Sequence, residues 1–157
     1  MLKNKVIIYV LLSINILFIF YQAFQDGNAS SETSSEIVEV VSEVLENNNI
    51  SVEKNVLHYL IRDLAHVIQY FTLGFLMAFI FLKKPIMLYL GGIVMFIDES
   101  IQYFTPGRAF EFKDIGLDIM GYSLSIFMVF IIFKIIKGRL LCVELLGMLV
   151  SKKQKTS

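Results

Sequence analysis

Four apolar runs separated by polar stretches set the rhythm of the chain. The first extends from Val6 to Phe24 behind Lys3 and Lys5, the second from Val56 to Leu82, the third from Pro85 to about Phe104, and the fourth from Asp114 to about Ile136. About 20 residues at 1.5 Å rise cross a hydrocarbon core of about 30 Å, so each run predicts a transmembrane helix. A cleaved signal peptide is the rival reading of the first run, since it too has a basic start and an apolar core. The length of the run, the lack of a prompt small-x-small site and the interfacial aromatics Tyr21 and Phe24 favour an uncleaved helix. Pro85 suits the first turn of a helix, where its missing N–H costs little.

Between the first two runs the chain is polar and acidic. Gly27 to Ser31 has the composition of a linker. Ile37, Val40, Val41, Val44 and Leu45 then recur at i, i+3, i+4, i+7 and i+8, one face of a helix, with Glu36, Glu39, Glu43 and Glu46 on the other faces. Asn47, Asn48 and Asn49 end it. The pattern predicts an amphipathic helix resting on the membrane or on the other spans. Leu140 to Val150 is apolar but too short to span, and predicts an interfacial segment ending in a basic tail. The expected fold is an all-α integral membrane protein, a four-helix transmembrane bundle with an extracellular amphipathic helix between spans one and two. It divides into residues 1–24 (first span), 25–55 (acidic segment), 56–138 (three-span core) and 139–157 (basic tail).

Composition sharpens this picture. The chain has 157 residues, 56% of them hydrophobic, and a formal net charge of zero. A soluble domain of that size cannot hide so much apolar surface. Cys142 is the one cysteine, so no internal disulfide is possible. No CxxC, HExxH, GxGxxG or P-loop pattern is present, and neither a cofactor nor nucleic-acid binding is implied. With the N-terminus placed in the cytoplasm, Lys54, Arg62, Arg108 and Lys113 lie outside and the other ten of the 14 basic residues lie inside. That is the positive-inside bias, and it predicts both termini in the cytoplasm of a plasma membrane.

The candidate chemistry then gathers at the outer ends of the spans. Arg62, His66, Gln69 and Tyr70 form one polar stripe on the second span, which Gly74 extends. Asp98 and Gln102 share a face of the third with Gly91, as Glu99 does with Gly92. Asp114, Asp118, Gly121 and Ser125 share a face of the fourth, and Thr105-Pro106-Gly107-Arg108 forms a turn between the last two. Asp98 lies roughly 9 Å below the outer end of its span. Charged residues inside a membrane usually face a protein interior or a water-filled cavity. Three readings of the cluster stand open. The acids tie helices together, in pairs such as Asp98–His66 or Glu99–Arg108. The cluster binds a ligand, with Arg108 on a phosphate or carboxylate. Or it catalyses, with Glu99 or Asp98 as general base and His66 as its partner. A metal on His66, Asp98 and Glu99 is demanded by no spacing.

The stretch Arg62 to Gly74 resembles the R-K-x-A-H-F-x-E-Y-x-x-L-G pattern of VanZ-like proteins. Asp98 to Arg108 resembles that family's D-E-x-x-Q-x-F-x-P-G-R, and Asp114 to Gly121 its D-x-x-x-[ND]-x-x-G. Asp63, Val67 and Gln69 depart from the pattern, standing where lysine, an aromatic and glutamate are common. Asp118 stands where many relatives have asparagine. The resemblance implies a bacterial cell-envelope protein connected with glycopeptide resistance, the family's namesake being associated with teicoplanin, and supplies no reaction. The ligand-binding candidates are His66, Tyr70, Asp98, Glu99, Gln102, Arg108, Asp114 and Asp118. The expected ligand is an anionic membrane lipid or lipid-linked cell-wall precursor. A membrane enzyme on the same substrates and a structural subunit docked to an envelope protein through residues 37–45 are the alternatives.

Overall fold

The computed structural model describes the backbone of residues 2–81, 84 and 86–155, and the side chains of 6–80, 84, 86 and 89–138. Within them lie five α-helices and no strand: α1 (Leu2–Ala23), α2 (Gly27–Asn47), α3 (Lys54–Phe81), α4 (Ile86–Phe104) and α5 (Phe112–Lys155). Among the described residues three helices are long and apolar enough to cross a membrane, through Val6–Ala23, Lys54–Ile80 and Phe112–Gly138. The 19-residue α4 carries Asp98, Glu99 and Gln102 near its end. The expectations on Leu82, Lys83 and Pro85 lie outside the described residues.

Helix α3 sits at the centre. It packs on each of the other helices and most extensively on α5. Ile19 of α1, Tyr70, Leu73 and Met77 of α3, Met95 of α4, and Tyr122 and Val129 of α5 form a continuous apolar core. Leu17, Phe18, Phe96, Phe127 and Phe130 are exposed, an apolar exterior far beyond what a soluble monomer shows. Small residues let the backbones approach. A Cβ on Gly121 would run into the Val67 carbonyl of α3, and one on Gly74 would meet Ser125 and Tyr122 of α5. Gly91 lies against the Tyr122 ring, but Gly92 faces open space. A close helix contact therefore exists at Gly91 and not at Gly92.

Three sequence expectations need correction. Residues 27–31 are not a linker but the first turn of α2. Asp26 caps that helix, its Oδ1 accepting from the Ala29 amide at 2.8 Å. The expected apolar face of α2 is only partly turned inward, with Val41 and Leu45 half-buried. Val38 and Ser42 are buried, whereas Ile37, Val40 and Val44 are 47%, 64% and 57% exposed. The Ser42 hydroxyl is accommodated because it donates to the Glu39 carbonyl at 2.9 Å. Finally, α5 runs 44 residues without a break, so Leu140 to Val150 continues the last helix rather than forming a separate segment. The stretch contains no proline and has five leucines, good helix formers that carry the helix past Gly138. The end of α2 falls where the sequence places it. Asn48 is the C-cap, Asn49 takes φ 59°, and the Ile50 amide returns to the Leu45 carbonyl at 3.0 Å.

Candidate functional site

The turn after α4 joins three helices. Arg108 N donates to Thr105 O at 3.2 Å, and Gly107 takes φ 74°, a conformation glycine adopts without strain. Helix α1 ends against this turn with carbonyls that have no partner inside the helix. The Thr105 hydroxyl donates to one of them, Ala23 O, at 3.0 Å, and Arg108 Nη1 to another, Gln22 O, at 3.0 Å. Gly27 N, at the start of α2, donates to Pro106 O at 2.9 Å, and Arg108 Nη2 reaches Ser30 Oγ at 2.9 Å. Arg108 thus fastens α1 and α2 to the turn. It has no carboxylate within ion-pair distance among the described residues. Burial, and then the neighbouring Arg62, push its pKa below the ordinary arginine value, while Asp98, Asp114 and Glu99 oppose the shift. A guanidinium stays protonated under such shifts, so Arg108 remains a cation whose charge no bonded carboxylate offsets.

A second network joins α3 to α5. Arg62 Nη2 meets Asp114 Oδ2 at 2.8 Å and Glu111 Oε1 at 3.2 Å. His66 stands between two carboxylates, with Nδ1 at 2.9 Å from Asp118 Oδ1 and Nε2 at 3.5 Å from Asp114 Oδ2. Lys113 and Asp63 pair outside it at 2.6 Å. A third network joins α3 to α4. The Tyr70 hydroxyl donates to Asp98 Oδ2 at 2.7 Å, and Gln102 Nε2 to Asp98 Oδ1 at 3.3 Å. Glu99 Oε1 accepts from the Glu111 amide at 2.8 Å, just before α5 begins. The four acids Asp98, Glu99, Asp114 and Asp118 are 2%, 0%, 1% and 0% exposed. Burying carboxylates to that degree is costly unless each is hydrogen-bonded or paired, and each of them has a partner on at least one oxygen, while Glu99 Oε2 and Asp118 Oδ2 have none among the described residues.

Two adjoining cavities open among these groups. The smaller, about 130 Å³, has His66, Asp98 and Gln102 on one side and Ser30, Thr33 and Ile37 of α2 on the other. The larger, about 340 Å³, is lined by His58, Glu111 and the first turns of α2. Arg62, Arg108, Ser30 and Ser34 line both. Gln102 Oε1 is buried at the smaller cavity without a hydrogen-bond partner among the described residues.

The expected site residues therefore gather at one end of the bundle, in different pairs from those expected. His66 binds Asp118 and Asp114 rather than Asp98, and Arg108 binds α1 and α2 rather than Glu99. The reason lies in α4. Residues i and i+1 do not share a helix face, so Asp98 turns to Tyr70 while Glu99 turns to the start of α5. Arg108, His66, Asp98 and Gln102 line the small cavity. Glu99, Tyr70, Asp114 and Asp118 line neither cavity and hold the frame around them. Sequence reasoning missed Ser30, Thr33, Ser34, His58, Gln22 and Glu111. Ser30 and Ser34, four apart behind a capping Asp26, carried a signal that the linker reading suppressed. Among the described residues no three His, Cys, Asp or Glu side chains are placed to hold a metal ion.

An all-α membrane protein with a charged, hydroxyl-lined pocket at one end of its bundle is the class these features define. The chain belongs to the VanZ/LLP1 family, whose family model matches residues 6–134. No curated protein and no solved structure matches it.

Proposed function

We propose that the pocket holds the anionic head group of a bacterial envelope lipid or lipid-linked cell-wall precursor. In this reading α4 is a fourth span, both termini are cytoplasmic, and the pocket with its α2 roof faces the outer leaflet. The positive-inside bias supports that orientation. One observation carries the reading: Arg108, a cation without a bonded carboxylate, converges with Arg62, Ser30 and Ser34 on two adjoining cavities. Guanidinium and hydroxyl donors around a cleft match phosphate or carboxylate oxygens. The family's connection to teicoplanin resistance fits a protein that engages the surface where cell-wall precursors are displayed. Arg108→Ala in native-lipid particles is expected to lose an enriched polyprenyl-phosphate or phospholipid species that the unaltered chain retains, read by mass spectrometry. Identical lipid profiles would leave the cluster as a set of helix ties.

Catalysis is the second reading, because Asp98 and His66 both line the small cavity. Each is already engaged, His66 by a carboxylate at both ring nitrogens and Asp98 by Tyr70 and Gln102. Glu99, the other candidate base, lines neither cavity. On the binding reading Asp98→Asn, which keeps an acceptor for Tyr70, leaves lipid retention and any resistance phenotype within about twofold. A variant that still retains lipid but loses the phenotype would transfer the assignment to an enzyme.

A further inference from the structure

A second depression lies beyond the small cavity along α1 and α3. On α1 the small cavity is lined by Gln22, and four residues back Phe18 begins the second, apolar groove that Ile14 and Leu11 continue. On α3 it is lined by Gln69, and the same groove takes up Thr72 and Leu76 three and seven residues further on. Steps of three and four keep to one helix face, so the two depressions lie in succession along the same faces of α1 and α3. Gln22 to Leu11 is eleven residues, roughly 16 Å along the helix. The groove holds about 360 Å³. Its Leu11, Ile14 and Phe18 are exposed. The one further lining residue is Asn15, whose Oδ1 is buried there without a hydrogen-bond partner among the described residues. An amide oxygen left so in an apolar wall is unfavourable until something pairs it.

We infer that this groove is the acyl-chain subsite of the proposed head-group pocket, so that the ligand is a phosphate-bearing amphiphile whose chain lies along α1 and α3. The inference rests on the head-group reading above and extends it to the tail. Two features choose this occupant. The donor-rich cavity and the apolar groove follow one another along the same helix faces, the polarity order of an amphiphile. The apolar groove is also open along the side of the bundle, so a lipid can slide in laterally without leaving its leaflet. A free phosphate would use the cavity alone, and a second copy of the chain would use the groove alone.

The probes are dioleoyl phosphatidate and sn-glycerol 3-phosphate, titrated against the full chain in detergent by native mass spectrometry. Phosphatidate is expected to bind at least tenfold more tightly than glycerol phosphate. Arg108→Ala and Ile14→Trp are each expected to weaken phosphatidate at least tenfold, the second by filling the groove. Thr72→Phe, on the opposite wall, repeats the test should Ile14→Trp fold poorly. Phosphatidate binding lost in Arg108→Ala but unchanged in both groove variants overturns the acyl subsite and leaves the head-group reading standing. Equal affinity for the two probes does the same and names a free phosphate. Phosphatidate binding unchanged in Arg108→Ala overturns the head-group reading itself. A dimer that Ile14→Trp dissociates assigns the groove to a second copy and overturns the inference.

Discussion

Gly121→Ala is expected to unfold the bundle at a markedly lower temperature, and Gly92→Ala is not. Both glycines are mid-helix, where alanine is the better helix former by up to about 1 kcal/mol. Only surroundings separate them. At Gly92 a methyl group would enter open space, so the change should be neutral or slightly stabilising. At Gly121 it would overlap the Val67 carbonyl oxygen and crowd the carbonyl carbon and the Phe71 nitrogen of α3. These are backbone atoms, which cannot rotate aside, so α3 and α5 must move apart. Overpacking of this kind costs about 1–3 kcal/mol and occasionally more. The cost lands on the largest helix pair of the fold, and a wider gap would also lengthen the His66–Asp118 contact one turn away. Circular-dichroism melts of the two variants in one detergent make the comparison. Equal melting temperatures would mean that α3 and α5 are less tightly joined than the structure has them.

The same helix pair shows what could be read from sequence. Arg62, His66, Asp114, Asp118 and Gly121 were legible because charges at i and i+4 inside apolar runs have few innocent explanations in a membrane. Their convergence on one end followed from run lengths alone. The partners were not legible. Asp98 and Glu99 are neighbours in sequence, which suggests a carboxylate pair, yet successive helical residues turn about 100° apart. That rotation sends Asp98, which lines the cavity, to Tyr70 and Glu99 to the Glu111 amide. Nor was α2 legible as a pocket wall. Ser30, Thr33 and Ser34 are composition-neutral residues, and the serine-rich stretch hid a helix whose start depends on one cap, Asp26. The apolar pattern the sequence displays is split, with Ile37, Val40 and Val44 exposed and Val41 and Leu45 half-buried. The packed face, Val38 and Ser42, is the one that long-range contact with α3 selects.

Asp118→Ala is expected to be the most damaging single change among the charged residues, and Asp118→Asn among the mildest. Asp118 is fully buried and His66 nearly so, and 2.9 Å separates them. Neutral interhelical hydrogen bonds in membranes average only about 0.6 kcal/mol, so loss of an ordinary contact would be small. The present one is different because its partner sits between two acids. Alanine at 118 strips the close carboxylate from a largely buried imidazole, leaving only Asp114 at 3.5 Å. Removing one member of a buried charged pair costs about 3–5 kcal/mol, chiefly through the group left behind. Asp114→Ala should cost less at the Arg62 end, because Arg62 is about one-third exposed and keeps Glu111. Asparagine at 118 retains an oxygen at the acceptor position, so the imidazole keeps a partner and the charge change alone is felt. The order of melting temperatures is therefore unaltered chain, Asp118→Asn, Asp114→Ala and, lowest, Asp118→Ala. Should Asp118→Ala melt with the unaltered chain yet lose lipid retention, Asp118 would be part of the ligand's site rather than the tie that holds His66 against α5.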